Sequence, residues 1–372
     1  MCSVLFRQKK YEEVRMNQIS RKFPALLLVF VCFQCNLDLN SGIPAYYNPS
    51  PYDLSLSASF PEIPIPADNP LTNEGVTLGR MLFFDPILSR DSTQSCGSCH
   101  MQRFAFSDSL KFSLGIQKMK GSRNGMPIFN CAWSENLFWD GRSLGLENQA
   151  LAPVENPIEM HESWRNAVRK LERSDLYPQL FSAAFGKEGI DKYLVAKALA
   201  QFERTLISED SKYDRALRDE ETFTKQELRG LNLFFTEKAD CFHCHGNILF
   251  TDLTFHNIGL DSVSTDYGLE NYSGRRRDRG KFKTPTLRNL LFTAPYMHDG
   301  RFSTLEEVVD FYSEGVERSP TIDPLMKNVA RGGVHLTVRE KKDLIAFLLT
   351  LTDSTFIIDP KFSNPFLQEK GD

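Results

Sequence analysis

The chain lacks the features that mark several large classes of protein. Its 44 basic residues are outnumbered by 48 acidic ones, so no positive excess is available to neutralise nucleic-acid phosphates. The eight cysteines are too irregularly spaced for a small disulfide scaffold. The apolar run at residues 25–33 is shorter than the roughly 20 residues of a membrane-spanning helix. These shortages argue against a nucleic-acid-binding protein, a disulfide-rich module and a membrane-spanning protein.

The N-terminal region is typical of a targeting segment. Arg21 and Lys22 precede the apolar run, and polarity returns at Gln34. A signal peptide has an apolar region of roughly 7–15 residues after basic residues. We therefore predict that residues 1–35 are a signal peptide and that the mature protein is periplasmic. Cys35 ends this segment, and either lipidation of Cys35 or simple cleavage nearby fits the pattern, so the protein is expected to be soluble or lipid-anchored.

The rest of the chain is predicted to be mainly α-helical. Residues 36–71 are rich in Pro and Asn and indicate a tether or wrapping arm without a core of its own. Apolar residues recur at helical spacing in 191–208, 224–235 and 337–351, and strand-like alternation is scarce. The last of these stretches begins with Thr337 and Glu340 in capping-box spacing.

A weak internal repeat suggests two domains of similar construction. Each half contains a helical segment, a Cys-x-x-Cys-His motif, a long stretch rich in Gly, Pro and Asn, and a further helix. We predict a first domain at 72–215, a second at 216–355 and a tail at 356–372.

The two Cys-x-x-Cys-His motifs carry the strongest chemical signal. They read Cys96-Gly-Ser-Cys99-His100 and Cys241-Phe-His-Cys244-His245. This pattern is the attachment signature of c-type haem, in which two thiols bond the vinyl groups and the adjacent imidazole reaches the iron. A zinc site is the alternative, but the two pairs lie far apart and each is followed at once by histidine. We therefore predict two cytochrome c-like helical domains, each with one covalently bound haem c.

Six further segments resemble the bacterial dihaem cytochrome c peroxidase family, which includes MauG. The resemblance covers residues 72–352 and rests on spacing as well as on residue types. The segments are Arg123-Asn124, Phe138–Arg142, Leu146–Gln149, Asn156–Met160, Thr286–Asn289 and Thr293–Gly300.

The resemblance implies a role for each matching residue around the haems. His100 would be the proximal ligand of the peroxide-reacting haem and His245 that of the electron-transfer haem. Trp139 would lie between the haems as an electron route, and Gln149 and Glu159 would be the distal glutamine and the acid–base glutamate. Without the resemblance, Trp139 would be read as a core residue and Glu159 as a solvated carboxylate.

The resemblance also implies a calcium ion between the domains and a histidine near a haem edge. Asn124, with the backbone carbonyls of Thr293 and Pro295, matches the calcium ligands, and oxygen ligands of this kind suit calcium. Asn124 and Thr293 could otherwise be turn residues. His298 matches the histidine near the haem edge.

Two departures from the family pattern bear on the mechanism. Family members that need reductive activation have a histidine about sixteen residues after the first motif, but no histidine occurs here between His100 and His161. The first haem is therefore expected to be open when oxidised, unless Met119 or Met126 caps it. The peroxidases place a Met fourteen residues after the histidine that matches His298, where this chain has Tyr312. We expect Tyr312 to ligate the second haem, as in MauG, with Met297 and Met326 as the alternative ligands.

The sequence leads to three functional hypotheses. The first is an exported peroxidase that reduces H2O2 to water with electrons from a small cytochrome c or cupredoxin. The second is a MauG-like oxidase of a protein or organic substrate, and the third is a non-catalytic dihaem electron-transfer protein. Calcium, and a homodimer of the kind common in the family, are further expectations.

Overall fold

The computed structural model describes residues 47–186 and 189–367. The predicted signal segment lies outside these residues, and so does Cys35, whose lipidation therefore stays a prediction. Within the described ranges, no helix has both the length and the apolar character that crossing a membrane requires.

The described residues are mainly helical, as predicted. In chain order the helices are α1 (Asn73–Phe84), α2 (Cys96–Cys99), α3 (Gly145–Glu155), α4 (Trp164–Glu172), α5 (Tyr177–Phe185), α6 (Lys192–Thr205), α7 (Lys212–Leu217), α8 (Lys225–Phe234), α9 (Phe242–His245), α10 (Glu270–Ser273), α11 (Leu305–Asp310) and α12 (Val338–Leu349). Short strands form two antiparallel hairpins in these ranges, β1 (Asn136–Leu137) with β2 (Ser143–Leu144) and β3 (Phe255–His256) with β4 (Phe282–Lys283).

The first half of the molecule is organised by a close crossing of α1 and α6. The Thr72 hydroxyl caps α1 and the Asp191 carboxylate caps α6, each accepting a bond from a backbone N–H of the first turn. A Cβ on Gly79 would lie 1.9 Å from the carbonyl oxygen of Ala198, so glycine is required for this approach. The crossing lies in the larger of the hydrophobic clusters in the described chain.

The second half repeats this arrangement with α8 and α12. Both helices begin with capping boxes, headed by Thr224 and Thr337. A Cβ on Gly230 would lie 1.9 Å from the carbonyl oxygen of Asp343, as at the first crossing. The three helices predicted at 191–208, 224–235 and 337–351 are confirmed as α6, α8 and α12, with slightly shorter ends.

Residues 47–71 form an arm that wraps along the first half. The amide of Tyr52 donates to the carbonyl of Leu71 at 3.1 Å, which fixes the two ends of the arm together. The rings of Phe60 and Trp133 lie 5.7 Å apart, and the Trp133 indole N–H donates to the Pro61 carbonyl at 3.2 Å. The arm therefore packs on the surface of the first half.

A buried ion pair ties α7 to the segment Thr286–Asn289. The Arg288 guanidinium has no exposed side-chain surface and donates to both carboxylate oxygens of Asp214 at 2.7 Å. The neighbouring Asn289 donates to the Ser208 hydroxyl at 2.9 Å. Removing one partner of such a pair leaves a buried charge uncompensated, so this family-like segment has a clear structural role.

Candidate functional site

The first Cys-x-x-Cys-His motif forms one helical turn that ends at its histidine. Cys96 and Cys99 bound α2, and the His100 amide donates to the Cys96 carbonyl at 2.9 Å. The Nδ1 atom of His100 lies 3.1 Å from the carbonyl oxygen of Phe106. Because a carbonyl oxygen only accepts, Nδ1 carries the proton, and Nε2 keeps the lone pair that an iron ion requires.

The second motif has the same geometry. The His245 amide donates to the Cys241 carbonyl at 3.1 Å, and His245 Nδ1 donates to the Phe250 carbonyl at 2.8 Å. Burial lowers the pKa of His245 to about 4, so its imidazole is neutral at physiological pH. A neutral imidazole with a fixed tautomer is the form that binds iron.

Phe106 and Phe250, the partners of the two histidines, are functional positions that the sequence analysis missed. Both rings are completely buried, and both backbones are left-handed, with φ of 55° and 52°. A bulky residue in this conformation costs about 1–3 kcal/mol, so the surrounding packing must enforce it. The sequence does show a phenylalanine five or six residues after each histidine, but no general rule gives a phenylalanine at that spacing a function.

A cavity of about 360 Å³ adjoins the second motif. Cys241, Cys244 and His245 line it, together with apolar side chains such as Leu344 and Leu348. Burial raises the pKa values of Cys241 and Cys99, to about 12 and about 11, so these thiols are neutral. Two thiols and an imidazole on one helical turn beside an apolar cavity fit a covalently bound haem.

Tyr312 lines the same cavity. It lies on the π-helical turn Phe311–Gly315 that directly follows α11. Such turns often occur at functional sites because they redirect one side chain. Burial raises the pKa of the Tyr312 phenol, so binding to iron must displace its proton. Met297 and Met326 line this cavity too, and the choice of Tyr312 as ligand stays a prediction.

Trp139 and His298 are neighbours on the wall of this cavity. The Trp139 indole N–H donates to the Asn124 carbonyl at 2.9 Å, and the ring is only 8% exposed. The His298 ring meets Trp139 edge-on at 6.4 Å and stacks on Phe282 at 3.6 Å. Burial lowers the pKa of His298 to about 4, so this stack holds a neutral imidazole.

The three predicted calcium ligands also line the cavity. The Asn124 side-chain amide donates to the Leu110 carbonyl at 3.0 Å, which commits its nitrogen and leaves Oδ1 as the available atom. Within the described residues, the carbonyl oxygens of Thr293 and Pro295 accept no hydrogen bond. Three neutral oxygens that are free of donors fit a hard cation such as calcium.

Glu159 lies beside the first motif. The pKa of its carboxyl group is raised, because burial outweighs two opposing effects. These are the positive charge of Arg142 and the hydrogen bond from the Asn156 amide at 2.6 Å, which both lower the pKa. The backbone of Glu159 lies close to the first motif, because the Ile116 amide donates to the Glu159 carbonyl at 2.8 Å and the Cys99 sulfur lies 3.9 Å from the carbonyl oxygen of Leu114. A carboxyl group with a raised pKa is suited to proton transfer near neutral pH.

Gln149 is the predicted site residue with the fewest described contacts. It lies half-buried on α3, and no hydrogen bond within the described residues joins it to Glu159. The structure therefore brings Glu159 to the segment that contacts Cys99, and it brings Trp139, Asn124 and His298 together at the second cavity. The role of Gln149 stays a prediction from the resemblance.

A chain of charged residues runs beside Trp139 and was not predicted. The Arg123 guanidinium donates to Asp140 at 2.6 Å and to both oxygens of Asp266 at 2.7 and 2.8 Å. Arg142 donates to Asp140 at 3.0 Å and covers the Phe138 ring at 3.5 Å. These pairs join the hairpin that carries Trp139 to the segment that carries Asp266, on the wall of the second cavity.

His256, which lines the second cavity, is the centre of an Asp–His–Asp triad. Both ring nitrogens of His256 lie 2.7 Å from carboxylate oxygens, Nδ1 from Asp323 and Nε2 from Asp252. Since carboxylates only accept, both nitrogens carry protons and His256 is an imidazolium. Its ring nitrogen and an Asp252 oxygen are within 4.8 Å of the Cys244 sulfur. A fixed positive charge therefore lies beside Cys244, a predicted haem-attachment position.

Comparison with known proteins identifies the family. Residues 73–222 match the model of the di-haem cytochrome c peroxidase family. The methylamine utilization protein MauG of Methylorubrum extorquens is 42% identical over 304 residues, which cover 80% of this chain and 84% of that protein. The chain belongs to the di-haem cytochrome c peroxidase family. Membership confirms the predicted resemblance and implies two haem groups.

Two further relatives are a peroxidase and a MauG-like protein. The cytochrome c551 peroxidase of Nitrosomonas europaea is 32% identical, with 84% of this chain and 89% of that protein covered. The crystal structure of a MauG-like protein associated with microbial copper homeostasis superposes with a TM-score of 0.80 at 37% identity, covering 85% of this chain and 100% of that one. The family thus includes both peroxidases and MauG proteins, and its peroxidases support an oxidoreductase activity.

Proposed function

We propose that this protein is an exported c-type dihaem peroxidase that reduces H2O2 to water. The observation that carries the proposal is the difference between the two Cys-x-x-Cys-His sites. The first has the half-buried Glu159 bonded to the segment that contacts Cys99, while the second adjoins a cavity walled by Trp139 and Tyr312. Proton transfer is thereby assigned to the first half and electron entry to the second.

In this proposal, residues around the first motif bind the haem that meets H2O2 and transfer the proton. A haem held by Cys96, Cys99 and His100 would supply an iron with an open face for H2O2. Glu159 accepts a proton from the oxygen nearer the iron and returns it to the farther oxygen, which leaves as water. His100 stays neutral because its Nδ1–H is bonded to the Phe106 carbonyl. The whole reaction breaks the O–O bond and consumes two electrons and two protons, and it yields two water molecules.

Trp139 provides the route for these electrons. Its indole N–H is bonded to a backbone carbonyl, which is not a base, so the ring keeps its proton while an electron passes. Its backbone carbonyl accepts from the Lys283 amide at 2.9 Å, which ties its hairpin to β4. Electrons would enter through the haem at His245 from a small cytochrome c or a cupredoxin.

The test is a titration of the fully reduced holoprotein with H2O2. We expect one equivalent to oxidise two haem equivalents and to leave water as the only product. A protein whose reduced haems are both indifferent to H2O2 would instead be an electron-transfer protein. Mass spectrometry of the same sample should show two haems attached to the polypeptide, and their absence would contradict the proposal.

A MauG-like oxidation of a protein or organic substrate is the second candidate, favoured by Tyr312 in the second cavity. An anionic oxygen ligand stabilises oxidised iron, whereas Met favours the reduced form. The two activities separate when the oxidised holoprotein is given H2O2 together with either a reduced cytochrome c or an aromatic substrate. Rapid oxidation of the cytochrome supports the peroxidase. Chemical modification of the aromatic substrate, without rapid oxidation of the cytochrome, supports the oxidase.

Export and the calcium ion belong to the same proposal. Residues 1–35 would direct the chain to the periplasm, where c-type haems are attached, and the mass of the mature N-terminus distinguishes lipidation of Cys35 from simple cleavage. Calcium bound by Asn124, Thr293 and Pro295 would hold the wall on which Trp139 and His298 meet. Chelation should then slow electron transfer between the haems, and Asn124→Ala should reproduce this without a chelator.

A further inference from the structure

The last described residues form a strap that crosses back onto the first half. The strap, residues 353–367, starts at Asp353, which is 2% exposed and accepts bonds from the Ser208 hydroxyl at 3.0 Å and the Asp210 amide at 3.2 Å. Phe356 and Phe362 are 3% and 2% exposed and belong to the hydrophobic cluster of α1 and α6. The predicted tail therefore contributes to the core of the first half.

The aromatic side chains of the strap pack directly on Phe106. The Phe106 ring lies 5.5 Å from the ring of Phe356 and 6.4 Å from that of Phe362, and these two rings lie 5.2 Å from each other. Such tilted and edge-on pairs add to the free energy of burial. Phe129 closes the cluster at 5.7 Å from Phe356.

Hydrogen bonds hold the strap to the same loop. The Gln102 side-chain amide donates to the carbonyl of Phe356 at 3.2 Å and to that of Asp359 at 2.8 Å. Gln102 lies two residues after His100. From α1, Arg80 donates to the Ser363 carbonyl at 2.7 Å. The strap therefore contacts the loop after the first motif at two positions, Gln102 and Phe106.

We propose that this strap positions the proximal histidine of the first haem. The left-handed backbone of Phe106 is costly and persists only if packing enforces it. That backbone aims the Phe106 carbonyl at His100 Nδ1, and a bond of this kind makes the imidazole a stronger donor to iron. The strap would thus set how strongly His100 binds. The inference rests on His100 being the haem ligand, as proposed above.

The test combines Phe356→Ala and Phe362→Ala and measures the holoprotein spectroscopically. A weaker His100–Phe106 bond leaves a less electron-rich imidazole. We therefore expect the iron–histidine stretching frequency of the first haem to fall and its midpoint potential to rise, with the second haem unchanged. Phe181→Ala is the matched control, because Phe181 is equally buried in this cluster and its closest aromatic partner is Phe185, at 6.2 Å.

Gln102→Ala keeps the test decisive if the double variant does not fold. It removes the two strap hydrogen bonds at a side chain that is only half-buried, and we expect a smaller shift in the same direction. Haem bound at His100 with an unchanged frequency and potential in both variants would overturn the inference while leaving the proposed function intact. Absence of haem from the wild-type protein would instead overturn the proposed function.

Discussion

The two halves build their histidine loops in the same way but support them differently. Phe250, in the second half, packs on Phe234 and Phe347, which belong to α8 and α12 beside it. Phe106, in the first half, packs on Phe83 of α1 at 6.0 Å and also on Phe356 and Phe362 from the last part of the chain. The loop of the proposed peroxide half therefore has, besides its local support, the support of a segment that arrives from the other half.

The comparison also separates structural features that both halves share from side chains that differ between them. The glycine crossings and the left-handed phenylalanines recur in both halves, so they belong to the scaffold. Glu159 near the first motif and Tyr312 beside the second differ in chemistry, since one is a carboxylic acid and the other a phenol. Different functions on a common scaffold are thus expected to come from side chains of this kind.

The largest expected effect is the loss of proton transfer in Glu159→Gln. General acid–base catalysis contributes roughly 10²–10⁴-fold, so turnover of H2O2 should fall by about that factor while both haems stay attached. Steady-state consumption of H2O2 measures the effect. Glu155→Gln, at an exposed position four residues earlier, is the matched control and should retain activity. Equal turnover in both variants would remove Glu159 from the mechanism.

The glycine crossings allow the two halves to be destabilised one at a time. Gly79→Ala and Gly230→Ala each place a methyl group against a backbone carbonyl, and overpacking of this kind costs about 1–3 kcal/mol or more. We expect each variant to lower the melting temperature and to weaken haem incorporation mainly in its own half. Identical losses of both haems in both variants would show that the halves fold as one unit.

Exchange of the proposed axial ligand tests the chemical difference directly. Tyr312→Met should raise the midpoint potential of the second haem, on the order of 0.1 V, because thioether ligation favours the reduced iron. Tyr312→Phe keeps the ring and removes the oxygen, which separates ligation from packing. A second haem whose spectrum and potential are the same in all three proteins is not ligated by Tyr312.

The pH dependence of turnover reports on Glu159. Burial raises the pKa of its carboxyl group and the Asn156 hydrogen bond opposes this effect, so Asn156→Ala should raise that pKa further. A base works in its ionised form, so the rising limb of the pH–rate profile should move upward, by roughly one pH unit for one charged hydrogen bond. An unmoved limb would assign it to another group.

The smallest expected effect concerns the charge beside the second haem. His256→Gln removes an imidazolium flanked by two carboxylates, so the local charge becomes more negative and the oxidised iron is stabilised. The midpoint potential of the second haem should fall slightly, with that of the first haem unchanged. A rise, or an equal change at both haems, would contradict this placement of the charge.

Local signals in the sequence explain why parts of this comparison were predictable. Apolar periodicity, with a capping box at Thr337 for α12, located α8 and α12 to within two residues, and the motif spacing predicted the haem-attachment positions. The contacts of Phe106 with the strap join residues about 250 positions apart, and no periodicity links them. The left-handed backbones of Phe106 and Phe250 also contradict local preference, because tertiary packing overrides it.

Electron paramagnetic resonance of the holoprotein tests the division of labour most directly. Spectra are recorded for the oxidised protein, after one-electron reduction, and after H2O2 is then added. The account predicts two iron centres with different coordination, of which one takes up the electron and the other responds to H2O2. Two equivalent centres that both ignore H2O2 after reduction would contradict it.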